Sequence, residues 1–578
     1  MKEIILLNIF YFTIFFSILG YGFLLSFYVF KKNELRFINY GYLGIFGILF
    51  LILISYTTNL IIPHNKIHNF FIISSGLFFF FYFNKSYFLK KKLLSSILVF
   101  LILSIGFYIS KTHDDFPHYH YLYISQITNY KIQFGLPWFH YGFNHHSSLF
   151  YLHSLFYLPI IEKNLFNFGP IYILGFANLV FLNKIFSYKL KKLDLIFYIN
   201  LINLIFINIF FSRLSEHGTD RSASILIFLI FSLLIEFIIS NEKRLITFLI
   251  LLVSLSITLK SFYVIYLLIF LLLFIFFKKK KELLIFYLKS KSIIFSFFSI
   301  FYAIFFNFIN NGCIIYPIAK TCFEEFSWSK SKGMVIAQMN WYEQWSKAGA
   351  GPNFRVDDPL NYIQGFNWVN NWIDRYFFYK FSDYLLGLAL LSLIFLISFK
   401  SKTKIKNNLA NNKKKNFTVL FLFLTSLIFL WFIKNPDLRY GGGFAIIALF
   451  IFIPICFILS SSDNNFLNKK KIILSLIIFS FLIFFNRNIY RIYKEYVKYG
   501  YNPFLNPYYQ IDKNEYEGVS VNIKKTIEDF NKCKLDNQKD CSNTLLKFDS
   551  VPIGIKEFSD YTIFYKKLTL SELKILYK

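Results

Sequence analysis

Long apolar blocks alternate with short polar connections along most of the chain. The blocks lie near 4–30, 37–58, 67–83, 93–110, 165–183, 194–211, 222–240, 245–259, 261–277, 291–309, 383–399, 417–434, 441–460 and 471–487. A helix rises about 1.5 Å per residue and the hydrocarbon core of a bilayer is roughly 30 Å thick, so each block reads as a membrane span. The pattern predicts about fourteen of them. Lys260 interrupts an otherwise continuous apolar run, and the spans are divided there. MKEIILLNIFYF runs on to Phe30 without a small-residue cleavage pattern, so it reads as a retained first span.

The lysines add an orientation. Basic clusters fall at Lys31, Lys32 and Arg36, at Lys85 with Lys90–Lys92, at Lys184 with Lys189, Lys191 and Lys192, and at Lys243 with Arg244. Lys278–Lys281, Lys400–Lys415 and Lys469–Lys471 continue the series. They occupy every second connection, which by the positive-inside rule puts those connections in the cytoplasm and both termini outside. The expectation is a multi-pass protein of the inner (plasma) membrane. Residues 1–487 would form its transmembrane domain, with outer loops at 111–164 and 310–382, and residues 488–578 a small extracytoplasmic region.

Composition agrees. Of 578 residues, 56% are hydrophobic and 80 are Phe, too oily for a water-soluble chain of this length. The formal charge of +30 raises the question of nucleic acid, but the cations sit in short clusters between spans, so no nucleic-acid partner is expected. Cys313 with Cys322 and Cys533 with Cys541 form two close pairs in outward segments, which fits local disulfides in an oxidising compartment. Their spacing matches no zinc motif.

With that orientation the ionisable groups gather on the outer face. KTHDDFPHYHYLY, residues 111–123, holds two aspartates and three histidines, and seven of the ten histidines lie between His113 and His153. Tyr119, Leu122, Tyr123, Gln126, Ile127 and Tyr130 recur at helical spacing, predicting a helix along the membrane surface. SSLFYLHSLFYLP is too short to span and predicts a half-embedded helix. The 310–382 loop carries Trp328, Trp341, Trp345, Trp368 and Trp372, suited to interfacial anchoring or to stacking on sugar rings. Asp357 and Asp358 read as a helix-start signal for a second surface helix.

An acidic pair leaving an early span, a YHY sequence, an amphipathic helix and a re-entrant helix resemble the GT-C superfamily of integral-membrane glycosyltransferases. The run from HDDFPHYHYLY through YGFNHHSSLF, NGCIIYPIAKTC, PDLRYGGG and a paired-cysteine C-terminus resemble a sparsely characterised bacterial group within it. The resemblance implies an all-α, GT-C-like bundle with outer amphipathic and re-entrant helices. It also implies an inverting enzyme that moves a sugar from a polyprenyl-phosphate-linked donor to a glycan, lipid or protein acceptor on the extracytoplasmic face. The product would serve surface polysaccharide, glycolipid or glycoprotein synthesis. A carboxylate in the first large outer loop would act in catalysis.

Such a transfer needs a base for the incoming hydroxyl and a cation for the departing phosphate. Asp114 or Asp115 is the candidate base, or alternatively a metal ligand. His118 and His120 would position the acceptor or complete a metal site with them. Asp220, at the start of the seventh span, offers a second carboxylate for metal or acceptor, or merely a helix cap, with His217 and Glu216 beside it. Arg439 and Lys260 are the candidate phosphate ligands; lipid head-group contact is their plainer role. A bound divalent cation such as Mg or Mn is the alternative to these side chains at the departing phosphate, the cofactor being otherwise left open, and no HExxH or comparable ligand set occurs. Two other functions compete. One is a surface-glycan polymerase or ligase using a lipid-diphosphate donor. The other is a lipid-glycan transporter or flippase, which the nearly charge-free spans count against.

Overall fold

The structure is a computed structural model that describes residues 2–566 apart from 36–37, 88–89, 189–190, 215–217, 278, 352–353, 401–410, 461–463, 509–517, 536–545, 549–550 and 559–560. Hydrocarbon offers no partner for a backbone N–H or C=O, so apolar blocks of this length satisfy themselves as helices. Among the described residues, ten helices are long and apolar enough to cross a membrane. They run from Lys2–Val29 to Phe466–Tyr499. The other four expected spans fall on shorter apolar helices, Leu93–Phe107, Leu195–Phe210, Arg244–Leu259 and Ser261–Phe276. The chain is an all-α polytopic membrane protein with ten full-length spans by this measure.

Burial sorts the helices into centre and rim. Leu195–Phe210, Gly218–Ser240 and Arg244–Leu259 are buried almost all round. Val369–Ser398 and Lys413–Lys434 bury only 28% of their apolar windows. Their exposed side chains, Leu386, Leu390, Ile397, Leu422 and Phe429 among them, form a greasy outer surface suited to lipid. Inside, small residues let backbones touch. A Cβ added at Gly22 would lie 1.9 Å from the Leu43 carbonyl, and one at Gly47 1.9 Å from that of Ile18. The first two spans therefore pack at glycine contacts.

Contacts divide the connections into two faces. Leu193 N–H donates to the Asn464 carbonyl at 2.9 Å, Lys413 to that of Ile239 at 2.8 Å, and Lys243 pairs with Glu282 at 2.6 Å. These basic connections share one end of the bundle. At the other end the Tyr508 hydroxyl donates to the Glu3 carbonyl at 3.3 Å, and the Tyr501 hydroxyl to that of Tyr108 at 2.7 Å. Three antiparallel strands, Leu546–Phe548, Val551–Phe558 and Tyr561–Lys566, dock there as well. Phe134 N–H donates to Thr562 and Phe564 N–H returns a bond to Phe134, so the C-terminal sheet edge is stitched to the first outer loop. The helix Phe466–Tyr499 runs unbroken through the expected boundary at 487/488.

One expectation for the first outer loop needs correction. The predicted surface helix is Tyr121–Asn129, and every residue from Leu122 to Thr128 is buried. The predicted half-embedded helix is Ser148–Ser154, wholly buried. The first lies under other outer segments rather than on a membrane surface, while the second packs among the membrane helices Tyr40–Asn59, Gly169–Phe186 and Arg244–Leu259. The amphipathic spacing was real, but the helix is covered by Lys163, which donates to the Ser125 hydroxyl at 3.2 Å, and by the C-terminal helix Gly518–Leu535 rather than by water.

 The covering helix, Gly518–Leu535, turns Ile523, Thr526 and Phe530 inward. In the second loop, Asp358 does cap a helix, accepting from the Asn361 N–H at 3.1 Å, but that helix is only Pro359–Ile363.

Candidate functional site

Four distant stretches meet at the outer end of the bundle. The first is residues 108–120. Beyond the 3-10 turn Ser104–Phe107 the backbone leaves helical geometry until Phe116–His120 closes as a π-turn, with Pro117 in its first positions. The intervening residues are held from outside. The Glu495 carboxylate accepts from Ser110 N–H at 2.8 Å and Lys111 N–H at 3.3 Å, and Arg491 donates to the Lys111 carbonyl at 2.7 Å. This clamp fixes the strand that delivers Asp115.

The second stretch is the first turn of Gly218–Ser240, which carries Asp220. The third is the end of Arg244–Leu259, where the backbone swings to extended geometry at Lys260. The fourth is the turn 435–442. Trp372 and Trp431 donate their indole N–H groups to the Pro436 and Asp437 carbonyls, both at 2.9 Å, and the Tyr376 hydroxyl accepts from Leu438 N–H at 2.8 Å. Gly441 and Gly442 take φ of 60° and 78°, which residues with a Cβ rarely adopt. Three of the loop tryptophans, Trp328, Trp368 and Trp372, thus spend their N–H groups on backbone, and Trp372 does so on the turn that presents Arg439.

The side chains converge as follows. Lys260 Nζ is ion-paired with Asp220 Oδ1. Arg439 Nε lies 3.7 Å from Asp220 Oδ2, and its Nη1 lies 3.9 Å from Asp115 Oδ2. Arg439 therefore bridges the two carboxylates at ion-pair range, and its buried Nε has no hydrogen-bond partner. The Tyr440 ring stands 5.4 Å from the Arg439 guanidinium and 5.8 Å from Lys260. His113 Nδ1 is 3.1 Å from the Asp115 N–H and 3.2 Å from its carboxylate. The two contacts exclude each other: a neutral Nδ1 accepts from the backbone, a protonated one donates to the carboxylate.

Burial works to raise the Asp115 carboxyl, but the hydrogen bond from His113 and the charges of His120, His113 and Arg439 outweigh it and hold it well below the usual carboxylate range. His120, packed between Tyr119 and Phe150, is pushed down to about 4 by burial, against the pull of Asp115. At neutral pH it is uncharged, so Arg439 is then the permanent cation beside Asp115. His145, against Tyr342, is likewise pushed down to about 3.

The expected residues separate. Asp115, His120, Asp220, Lys260 and Arg439 come together. Asp114 and His118 are exposed and make no ionic contact among the described residues. His217 falls in 215–217, outside the described residues. Arg221, not singled out from the sequence, donates to the Arg213 carbonyl at 2.9 Å one position after Asp220. His113, Tyr440 and the Arg491–Glu495 clamp were also missed; the i, i+4 Arg–Glu spacing in RIYKE was the available signal for the last.

A divalent cation does not fit the arrangement as it stands. Among the described residues no three His, Cys, Asp or Glu side chains converge on one point, and both carboxylates face cationic side chains. In the second outer loop Cys313 and Cys322 form a disulfide, while Cys541 of the other expected pair lies outside the described residues.

A family described as a domain of unknown function, DUF8201, matches residues 4–446. The chain belongs to that family. The matched stretch contains all five converging residues and ends seven positions past Arg439 (446 against 439), before the Arg491–Glu495 clamp. No curated protein and no solved structure matches the chain.

Acid should loosen this end of the protein. His146 and His153 are 5% and 4% exposed, and burial pushes both down to about 3. Their folded pKa lies below the unfolded value of 6.5, so the unfolded chain binds more protons between about pH 3 and 6.5. Stability is full above pH 6.5 and falls as pH drops through that window, at about 1.4 kcal/mol per pH unit for each group once well below 6.5. Thermal unfolding in detergent at pH 7.5 and pH 5 should show a lower midpoint at pH 5. The replacement His146→Gln should shrink the difference.

Proposed function

We propose that the chain is a membrane glycosyltransferase of GT-C type. It transfers a sugar from a polyprenyl-phosphate-linked donor to a glycan, lipid or protein acceptor on the extracytoplasmic face of the plasma membrane. The observation that carries this reading is the bridge of Arg439 between Asp115 and Asp220, with Lys260 alongside. A carboxylate pair and a cation pair at one end of an apolar bundle match what transfer from a lipid phosphate requires.

In this reading the donor's lipid lies in the bilayer and its phosphate meets Lys260 and Arg439. Arg439 has hydrogen-bonding capacity to give, because its Nε is unsatisfied. Asp115 receives the acceptor hydroxyl. Alone, it is a weak base, since its neighbours favour the anion. When the phosphate draws Arg439 away, one source of that bias is removed and the affinity of Asp115 for a proton rises. Donor binding thereby readies the base. Neutral His120 holds the acceptor by hydrogen bonding rather than by charge.

A lipid-diphosphate donor, and so a polymerase or ligase, is the second reading. It is favoured by one observation: Arg221 adds a further guanidinium next to Asp220. The test uses the full chain in proteoliposomes, offered polyprenyl-monophosphate sugars and polyprenyl-diphosphate sugars in parallel. Release of polyprenyl phosphate from the first set is expected. Consumption of the second set alone would replace the proposal with the second reading, and consumption of neither would remove both.

A further inference from the structure

Beside the Phe116–His120 turn, a cleft of about 60 Å³ opens on the outer face. Its walls come from the first span, the strand 107–112, the turn 163–168 and residues 507–508. Ser110, Thr112, Asn164 and Asn167 give it hydroxyl and amide groups, and Lys163 is its one cationic side chain among the described residues. Phe116 and Asn167 also line a smaller pocket of about 10 Å³ that reaches His120 and Thr219. The cleft and the charged cluster are therefore separated by a single layer of side chains.

Lys163 is the unusual group. It is half-buried, its Nζ donates to the Ser125 hydroxyl at 3.2 Å, and it stands 5.6 Å from the Tyr121 ring centroid. No carboxylate lies within ion-pair distance of it among the described residues. Its sequence neighbour Glu162 is taken by Lys66 at 2.7 Å. Burial lowers the Lys163 pKa, with Glu162 opposing only in part. A desolvated cation without a counter-ion, facing a cleft of hydroxyls and amides, is an arrangement that an anionic ligand completes.

We infer that this cleft binds a hydroxyl-rich ligand with one negative group, such as a carboxylated or phosphorylated sugar, with the negative group on Lys163. The assignment rests on the proposed sugar transfer for its role, which is to hold the acceptor with its reacting hydroxyl directed past Phe116 toward His120 and Asp115.

The test uses the full chain in nanodiscs carrying Thr112→Cys, with labelling of the wild-type chain subtracted. The anionic reagent methanethiosulfonate ethylsulfonate should label this cysteine several-fold faster than its cationic trimethylammonium analogue. Glucuronate should slow the labelling, while equal concentrations of glucose or acetate should do so at least several-fold less. Adding Lys163→Met should remove both preferences, and Lys163→Arg should keep them, with unfolding midpoints confirming that each variant is folded. Equal protection by glucuronate and glucose, or preferences unchanged by Lys163→Met, would overturn the assignment. Donor consumption without glucuronate protection would sink the cleft alone. Protection without donor consumption would leave the cleft and remove its place in sugar transfer.

Discussion

Asp115→Asn lowers the turnover of sugar transfer about 10²- to 10⁴-fold, the usual contribution of a general base, while Asp114→Asn leaves it near wild type. The asymmetry follows from direction. Asp115 faces Arg439 at 3.9 Å and His113 at 3.2 Å, whereas Asp114 is exposed. The loss should appear in kcat, with donor KM little changed, because Lys260 and Arg439 remain to hold the phosphate. It should also persist across neutral pH, since the neighbours of Asp115 hold it ionised there. Steady-state kinetics on the two purified variants decide the point. Equal losses in both, or full activity in Asp115→Asn, would mean that the acidic pair has been assigned wrongly.

Lys260→Met destabilises the fold by about 2–3 kcal/mol, toward the lower end for a broken buried pair because Lys260 keeps 24% exposure. Without Lys260, Asp220 keeps only the looser contact with Arg439 at 3.7 Å and is 11% exposed. The carboxylate, rather than the lost methylene packing, is then the cause. Adding Asp220→Asn should restore most of the stability, and Lys260→Arg should lose little. Denaturant unfolding of the wild type, Lys260→Met, Asp220→Asn and the double variant in one detergent measures the cycle, with Lys260→Arg beside them. A double variant less stable than Lys260→Met alone would show that the pair is not what holds this end together.

Much of the bundle was legible because its causes are one-dimensional. Apolar length makes helices in hydrocarbon whatever their neighbours, and lysine clusters alternate along the chain before any fold is considered. The two faces found by contact group the connections as the lysines did: Lys243 and Lys413 on one, Tyr108 and Tyr508 on the other. The site was legible only in its residue types. Choosing Asp115 over Asp114 required the geometry of the π-turn, which no spacing announces. The meeting of residues 115, 220, 260 and 439 is a matter of helix arrangement. The burial of Tyr121–Asn129 depended on the 518–535 helix lying over it, some 400 residues away in the chain. Arg491 and Glu495 were passed over because their partners, Ser110 and Lys111, are nowhere near them in sequence.

The short central helices have a bearing on how substrates arrive. Arg244–Leu259 has 16 residues, or about 24 Å of rise, against roughly 30 Å of hydrocarbon. It starts at the basic face and ends at Lys260, while the rim helix Phe466–Tyr499 has 34 residues and overtops it. A helix of that length falls short of the hydrocarbon thickness, which would set Lys260 and its partners below the head-group level on that side. In the proposed transfer, a donor phosphate reaching them sheds part of its hydration, and attraction to Lys260 and Arg439 strengthens as the local dielectric falls.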